Sequence, residues 1–253
     1  MTRTSFLIAS ILACAIMPPT ASSQQAPIHV LAFYSTDVER DHVDFAQQAL
    51  TFFAAAAKRD KFQFESTTDW NELNPQRLKK VQVVMWFNDS AHTAAQRAAF
   101  EQYMEHGGRW FGFHFAAYND SGTHWPWFVR FLGGAIFYGN SWPPLPAMLD
   151  VDDKTSPLTK HLPAHFLSPA NEWYSWRPNP RDNKDVKVLL TLATSNFPLG
   201  FKDTLTSGDI PVVWTNTRYK MIYMNMGHGD RIFADEHQNQ MFEDALLWLT
   251  SIS

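Results

Sequence analysis

The chain reads as an α/β protein: a mainly parallel sheet with helices on both faces and an antiparallel addition near the C-terminus. Two observations predict this. From Ile28 onward, apolar runs of strand length alternate with segments whose apolar residues recur at helical spacing. Late in the chain, Pro211–Thr215 and Lys220–Met226 form two strand-like runs joined by a short turn.

The elements follow in order. Ile28 to Ser35 is an apolar first strand headed by Pro27, and Thr36 to Asp41 is a charged loop. A helix starts near His42, with Ala46, Ala49, Leu50, Phe53 and Ala57 on one face and Gln47, Gln48 and Lys58 off it. Lys61 to Thr67 alternates Phe62 and Phe64 with polar residues, as a half-buried strand does. Val81 to Phe87 is a near-continuous apolar strand ending at Asn88-Asp89. Thr93 to His106 is helical, with Ala95, Ala98, Ala99 and Tyr103 as its apolar face, and stops at Gly107-Gly108. The aromatic run after Arg109 is a buried strand, with Trp110, Gly112 and His114 on one face and Phe111, Phe113 and Phe115 on the other.

Beyond Asp120 the pattern loosens. Trp125 to Leu132 reads as a short helix closed by Gly133-Gly134, and Phe137 to Pro146 as a loop. Ala147 to Val151 is a strand, Ser156 to His161 a turn, and Asn171 to Trp176 a strand carrying Glu172 on its polar face. Val186 to Ala193 is a further strand. Asp235 to Ser251 is a closing helix with Met241, Phe242, Ala245, Leu246, Trp248 and Leu249 inward.

Residues 1–23 read as a secretory signal, so the folded domain is 24–253 and the expected location is periplasmic or secreted. Arg3 gives a positive start, Phe6 to Met17 is apolar but too short to span a bilayer, and Ala21-Ser22-Ser23 offers small residues for cleavage. Ile11-Leu12-Ala13-Cys14 resembles a lipoprotein box, with Leu12 large for its place. Cys14 is the single cysteine and leaves with the signal, which removes disulfides, thiolate nucleophiles and cysteine–metal sites from the mature chain. Stability then rests on the core, which a 45% hydrophobic and 15% aromatic composition can supply. A net charge of −4 without a basic run argues against nucleic acid, and no later stretch reaches membrane-spanning length.

Polar residues gather where strands end. In open α/β sheets ligands bind beyond the carboxyl ends of the strands. The first strand leads to His42, the third to Asp89, the fourth to His114 and then Asn119-Asp120, and Lys220–Met226 runs into Gly227-His228-Gly229. Glu172 and Tyr174 complete a candidate pocket: His114, His228 and Glu172 in catalytic roles, and His42, Asp89, Asn119, Asp120, Tyr174 and Trp142 toward substrate. Imidazole and carboxylate together suit proton transfer or a divalent metal ion, for which His42, His114 and His228 are the candidate ligands. Each has a plainer reading. His42 fits a solvated first turn, His228 a backbone-satisfied turn, and Glu172 an ion pair with Arg177 or Arg181. Asp89 and Asp120 fit loop caps. His124, His161, His165 and His237 read as solvent-facing. Trp86, Trp110 and Trp248 read as core; Trp125, Trp127, Trp142 and Trp173 fall near the presumed rim, where an indole can pack on a sugar ring, although core packing is the commoner fate of each.

Other chemistry is excluded by absence: the chain has no Gly-x-Ser-x-Gly elbow, no Gly-x-Gly-x-x-Gly or phosphate loop after the first strand, and no His-Glu-x-x-His.

Several segments together resemble the ThuA-like, or trehalose-utilisation, family. They are Gly107-Gly108…Gly112-Phe113-His114, Gly133-Gly134-Ala135-Ile136-Phe137, Asn171-Glu172-Trp173-Tyr174, and Pro211-Val212-Val213-Trp214 followed by Met226-Gly227-His228. His42 falls where the family has a histidine after its first strand. The likeness runs from about Ile28 to Leu249. It implies a flavodoxin-like, class I glutamine amidotransferase-like fold with His114 in the place of the nucleophilic cysteine, and hence no glutaminase activity. It also implies a role with an oxidised (keto) disaccharide or glycoside, and some members look metal-binding. Two positions depart from the pattern: Tyr138-Gly139-Asn140 stand where the family often has a histidine, and Asn171 where it often has an acid. The expectation is an exported enzyme acting on a carbohydrate. The alternatives are a non-catalytic sugar-binding protein on the same scaffold and an interaction module using the Trp142-Pro143-Pro144 loop.

Overall fold

The computed structural model describes Met1, residues 28–120 and residues 122–251, so apart from Met1 the signal and lipoprotein readings lie outside the described residues. The apolar runs of the first half become strands. β1 (His29–Phe33) is buried throughout. α1 (Arg40–Asp60) follows with His42, Phe45, Ala46, Ala49, Phe53 and Ala57 turned inward, so His42 lies on the core face of its helix. β2 (Gln63–Thr67) is a sheet edge. α2 (Pro75–Leu78) precedes β3 (Val83–Trp86), and α3 (Ala94–Glu105) starts at a capping box in which Thr93 and Gln96 satisfy each other's backbone N–H groups. β4 (Arg109–Phe113) leads to α4 (Pro126–Phe131).

The second half is richer in strands than its sequence suggests. β5 (Phe137–Asn140) and β6 (Leu145–Val151) occupy most of the expected loop. β7 (His165–Asn171) and β8 (Tyr174–Trp176) flank Glu172 and Trp173, so the expected Asn171–Trp176 strand is interrupted at Glu172 itself. β9 (Val186–Leu192), β10 (Pro211–Asn216), β11 (Lys220–Met224) and α5 (Glu236–Thr250) match their sequence patterns. One helix face differs: α3 buries Gln96, Ala99, Phe100 and Met104, leaving Ala95 and Ala98 exposed. Phe100 and Met104 have far more apolar area to bury than two alanines, so they set the rotation of the helix.

The main sheet has nine strands in the order β2-β1-β3-β4-β11-β10-β9-β6-β7, and β5 pairs with β8 in a small second sheet. β2, β1, β3, β4 and β11 run parallel. β10, β9, β6 and β7 continue antiparallel, so the antiparallel part extends well past the C-terminal hairpin. α1 and α5 cover one face, where Phe45, Phe53, Phe111, Phe113, Phe242 and Leu246 share a core. On the other face α3 and α4 pack Phe100, Phe128 and Phe131 against Trp86, Trp110 and Trp214. Trp110 and Phe111 fall on opposite faces, as the alternation of β4 requires.

Because β1, β3, β4 and β11 run in one direction, their carboxyl ends meet at one rim. Tyr34-Ser35, Asn88-Asp89, His114 and Asn225 to His228 therefore arrive together. A hollow of about 510 Å³ lined by Leu78, Val81, Tyr103 and Arg109 opens at the opposite rim, where β3 and β4 begin.

Candidate active site

Three separate elements each deliver a buried imidazole. His42 comes from the first turn of α1, and Asn88 fixes that turn. The Asn88 amide oxygen accepts from Ser35 N–H at 2.8 Å, and its nitrogen donates to the carbonyls of Ser35 (2.9 Å) and His42 (3.1 Å). His114 is the residue immediately after β4. Its φ of +43° places a non-glycine residue in the left-handed region, where Cβ crowding costs on the order of 1 kcal/mol. The turn is held by the Tyr223 hydroxyl, which donates to the His114 carbonyl at 3.1 Å. His228 follows β11, and its backbone N–H and that of Gly227 both donate to the Asn171 side-chain oxygen at 3.1 Å. A Cβ on Gly227 would stand 2.4 Å from the Cβ of His114, so this glycine is what lets the two histidines approach.

The rings converge. Centroids are 5.0 Å apart for His42 and His228, 5.2 Å for His42 and His114, and 5.5 Å for His114 and His228. Glu172 joins them, with Oε2 at 3.1 Å from His114 Nε2 and 3.9 Å from His228 Nε2. The Asn140 amide donates to the other carboxylate oxygen at 2.5 Å. Neither arginine expected as a partner for Glu172 reaches it: Arg181 binds Asp152 and Asp209, and Arg177 lies over the Tyr138 ring. On the outer side, Glu39 and Asp41 each place an oxygen 3.5 Å from His228. Tyr174 stacks on His114 with centroids 4.1 Å apart, and Trp142 stands edge-on to His228 at 5.8 Å.

Burial sets the charge states. It is the main cause that lowers the His42 pKa to about 2, with His114 and His228 adding repulsion. It likewise holds His114 well below the usual imidazole value. The same burial raises the Glu172 carboxyl, against the pull of His228, and pushes the Tyr174 phenol well up. His114 Nδ1 donates to the Asn225 carbonyl at 2.8 Å, so in the neutral ring Nε2 carries the lone pair. That nitrogen faces Glu172 Oε2 at 3.1 Å. Unused polar atoms mark the rest of the cluster: His42 Nε2 and both ring nitrogens of His228 are buried without a hydrogen-bond partner among the described residues. Two ligand groups, His42–His114–Glu172 and Glu39–His42–His228, each hold their donor atoms within 4.8 Å of one another. Imidazole nitrogens without hydrogen-bond partners beside a carboxylate are the donor set that divalent first-row metals take.

The other candidates lie elsewhere among the described residues. Asp89 accepts from the Ser35 hydroxyl (2.5 Å) and contacts His92 (3.0 Å). Asn119 donates to the carbonyls of Ala117 and Ala135, and Asp120 binds Thr123, Gly122 and the Tyr118 hydroxyl. Trp125 and Trp173 are core residues. His124, His161 and His165 are exposed, and His237 is half-exposed.

The profile of the trehalose-utilisation (ThuA) family matches residues 29–249. The chain belongs to the ThuA family. A ThuA-like protein from Bacteroides uniformis is 50% identical in sequence and superposes with a TM-score of 0.88, covering 93% of this chain and 96% of that one. A ThuA-like protein from Parabacteroides merdae is 16% identical (TM-score 0.63, 88% and 90% covered). A GMP synthase subunit from Thermoplasma acidophilum is 9% identical (TM-score 0.54, 88% and 94% covered) and shares the fold alone. The comparison with curated proteins gives no match. ThuA membership supports a carbohydrate-related role, on an amidotransferase-like fold.

Both departures from the family pattern fall in this ThuA site: Asn140 binds Glu172, and Asn171 holds the His228 turn. Asn225, Asn88 and Tyr223 have no sequence signal beyond a polar residue at a strand end, yet they position two of the three imidazoles.

Two outcomes follow from this geometry. Asn171→Leu strands two buried N–H groups and should cost about 2–4 kcal/mol, with Asn171→Asp recovering part because a carboxylate still accepts. Urea unfolding measures this, and a loss under about 0.5 kcal/mol in Asn171→Leu contradicts the assignment. In chelator-treated protein, His42 and His114 bind protons below their ordinary 6.5 only when unfolded, so stability falls with acid by about 1.4 kcal/mol per pH unit for each. Glu172, raised in the folded state, binds its proton there first and offsets part of this loss. Unfolding at pH 7.5 and 5.5 should therefore show a decline that shrinks in His42→Asn, and an unchanged slope in that variant rules the account out.

Proposed function

We propose that this ThuA-family chain is an exported enzyme, periplasmic or secreted, that acts on a keto-disaccharide or related glycoside at the His42–His114–His228–Glu172 cluster. One observation carries the reading: three imidazoles from distant parts of the chain are buried together with a carboxylate, and three of their nitrogens have no hydrogen-bond partner among the described residues. Leaving such atoms unpaired costs stability, and a substrate or a divalent cation would repay it.

The residues fit a metal. His42, His114 and Glu172, or His42, His228 and Glu39, would hold it, and when bound it supplies Lewis-acid polarisation of a sugar oxygen. The chain's own groups divide the proton work. His228 has both ring nitrogens available and is placed to take a proton from the sugar. A keto group acidifies the neighbouring C–H, which brings it within reach of a neutral base. As the C–H electrons form a C=C bond and the glycosidic C–O bond breaks, Glu172, whose carboxyl is raised by burial, donates a proton to the departing oxygen. Glu39 and Asp41, half-exposed beside His228, relay its proton to solvent. Trp142 lies against His228, where its ring can cover the apolar face of a sugar.

Turnover of 3-keto glycosides is the test. His114→Ala and His228→Ala should each lower kcat/KM by at least about a thousandfold while retaining the wild-type melting transition. Wild-type activity in both variants removes the proposal. Heat of sugar binding without any product would mark the chain as a sugar-binding protein instead.

A further inference from the structure

Phe201 is 81% exposed, more than any other large apolar side chain among the described residues except Met1. An aromatic ring left in water is ordinary on a flexible loop, but here the backbone beneath it is fixed. Leu199 and Leu205 exchange two N–H···O bonds of 2.9 Å, closing a hairpin, and both leucines are buried. The hairpin tip is tied to Trp142 in both directions. The Trp142 N–H donates to the Asp203 carbonyl at 2.8 Å, and the Trp142 carbonyl accepts from the N–H groups of Phe201 (2.7 Å) and Lys202 (3.0 Å). Gly200 has φ +105°, and a Cβ there would lie 2.1 Å from the Asp203 carbonyl oxygen, so the tip admits only glycine at its turn. The tip is thus locked so as to display Phe201 beside Trp142.

Trp142 is the wall of the site next to His228. Its indole N–H makes no hydrogen bond among the described residues; the same holds for the buried indoles of Trp86, Trp110 and Trp176, but Trp142 stands at the site. Lys202 and Asp203 are exposed and form no ion pair among the described residues, and the Asp203 charge is close enough to add to the effect of burial on Glu172. An aromatic ring, an indole donor and an unpaired carboxylate are therefore carried by one hairpin and the Trp142 backbone it is tied to, next to His228. Aromatic rings take the apolar faces of sugars or aryl groups, and carboxylates take their hydroxyls.

Resting on the function proposed above, we infer that the Leu199–Leu205 hairpin forms, with Trp142, the subsite for the second ring of a two-ring glycoside, the ring that departs when the bond is cut. Trp142 and Phe201 cover the apolar face of that ring, and Asp203 accepts its hydroxyls when it is a sugar. The site accordingly selects disaccharides or aryl glycosides over simple alkyl glycosides.

The test compares the methyl glycoside, the phenyl glycoside and the disaccharide of one 3-keto sugar. Wild type should prefer both two-ring substrates. Phe201→Ala should lower kcat/KM for the two-ring substrates about tenfold, through KM rather than kcat, so the preference collapses. Asp203→Asn should weaken the disaccharide and not the phenyl glycoside. Equal effects of Phe201→Ala on all three substrates, or none, overturn the subsite. If wild type turns over none of them, calorimetry carries the test. A tenfold loss of disaccharide affinity in Phe201→Ala then upholds the subsite while the catalytic reading falls, and absence of binding in wild type overturns both.

Discussion

The site depends on keeping His42 and His114 uncharged beside His228. Rings 5.0–5.5 Å apart in a buried pocket cannot all carry protons, because desolvation and mutual repulsion act in the same direction. Burial therefore disfavours a proton on His42 and His114 and raises the Glu172 carboxyl. A cluster of this kind gains little for folding and leaves nitrogen lone pairs unengaged. Much of the surrounding polar structure, from Asn88 to Asn171 and Asn225, holds it in place.

The sheet makes the cluster possible. The parallel strands bring the end of β4, the turn after β11 and the start of α1 to one rim, and the antiparallel half brings Asn171 and Glu172 in from the far side. The residue after β4 occupies a tight turn at this rim. Here that residue is His114, with its backbone in the left-handed region and Gly227 cleared of a side chain to admit it. Small geometric demands of this kind, at a glycine, a strained histidine and a buried asparagine, fix the chemistry more tightly than the core on either face does.

Much of the arrangement was legible from sequence because it follows from periodicity and strand exits. The buried runs at β1, β3 and β4 have the length and composition of strands packed on both faces. His114 and His228 stand out because each interrupts the chain where an apolar run ends. His42 was legible as a position but not as a burial, although Phe45, Ala46 and Ala49 at helical spacing place it on the inward face. β7 was missed because Ser168, Pro169 and Asn171 look like coil; Pro169 is tolerated because β7 is a sheet edge. Asn119 and Asp120 sit at a strand exit as the histidines do, but local turns absorb their hydrogen bonds. The Asn225 network has no periodic signature, since it depends on which chain segments become neighbours.

If His42, His114, His228 and Glu172 form one donor set for a divalent cation, the metal content of the protein follows from it. Elemental analysis of purified wild-type protein alongside His42→Ala, which belongs to both ligand groups, tests it most directly. The account predicts about one divalent ion per wild-type chain and near-complete loss in the variant. A wild-type protein that stays metal-free after incubation with zinc, manganese, iron and nickel salts, or a His42→Ala variant that retains the ion, contradicts it.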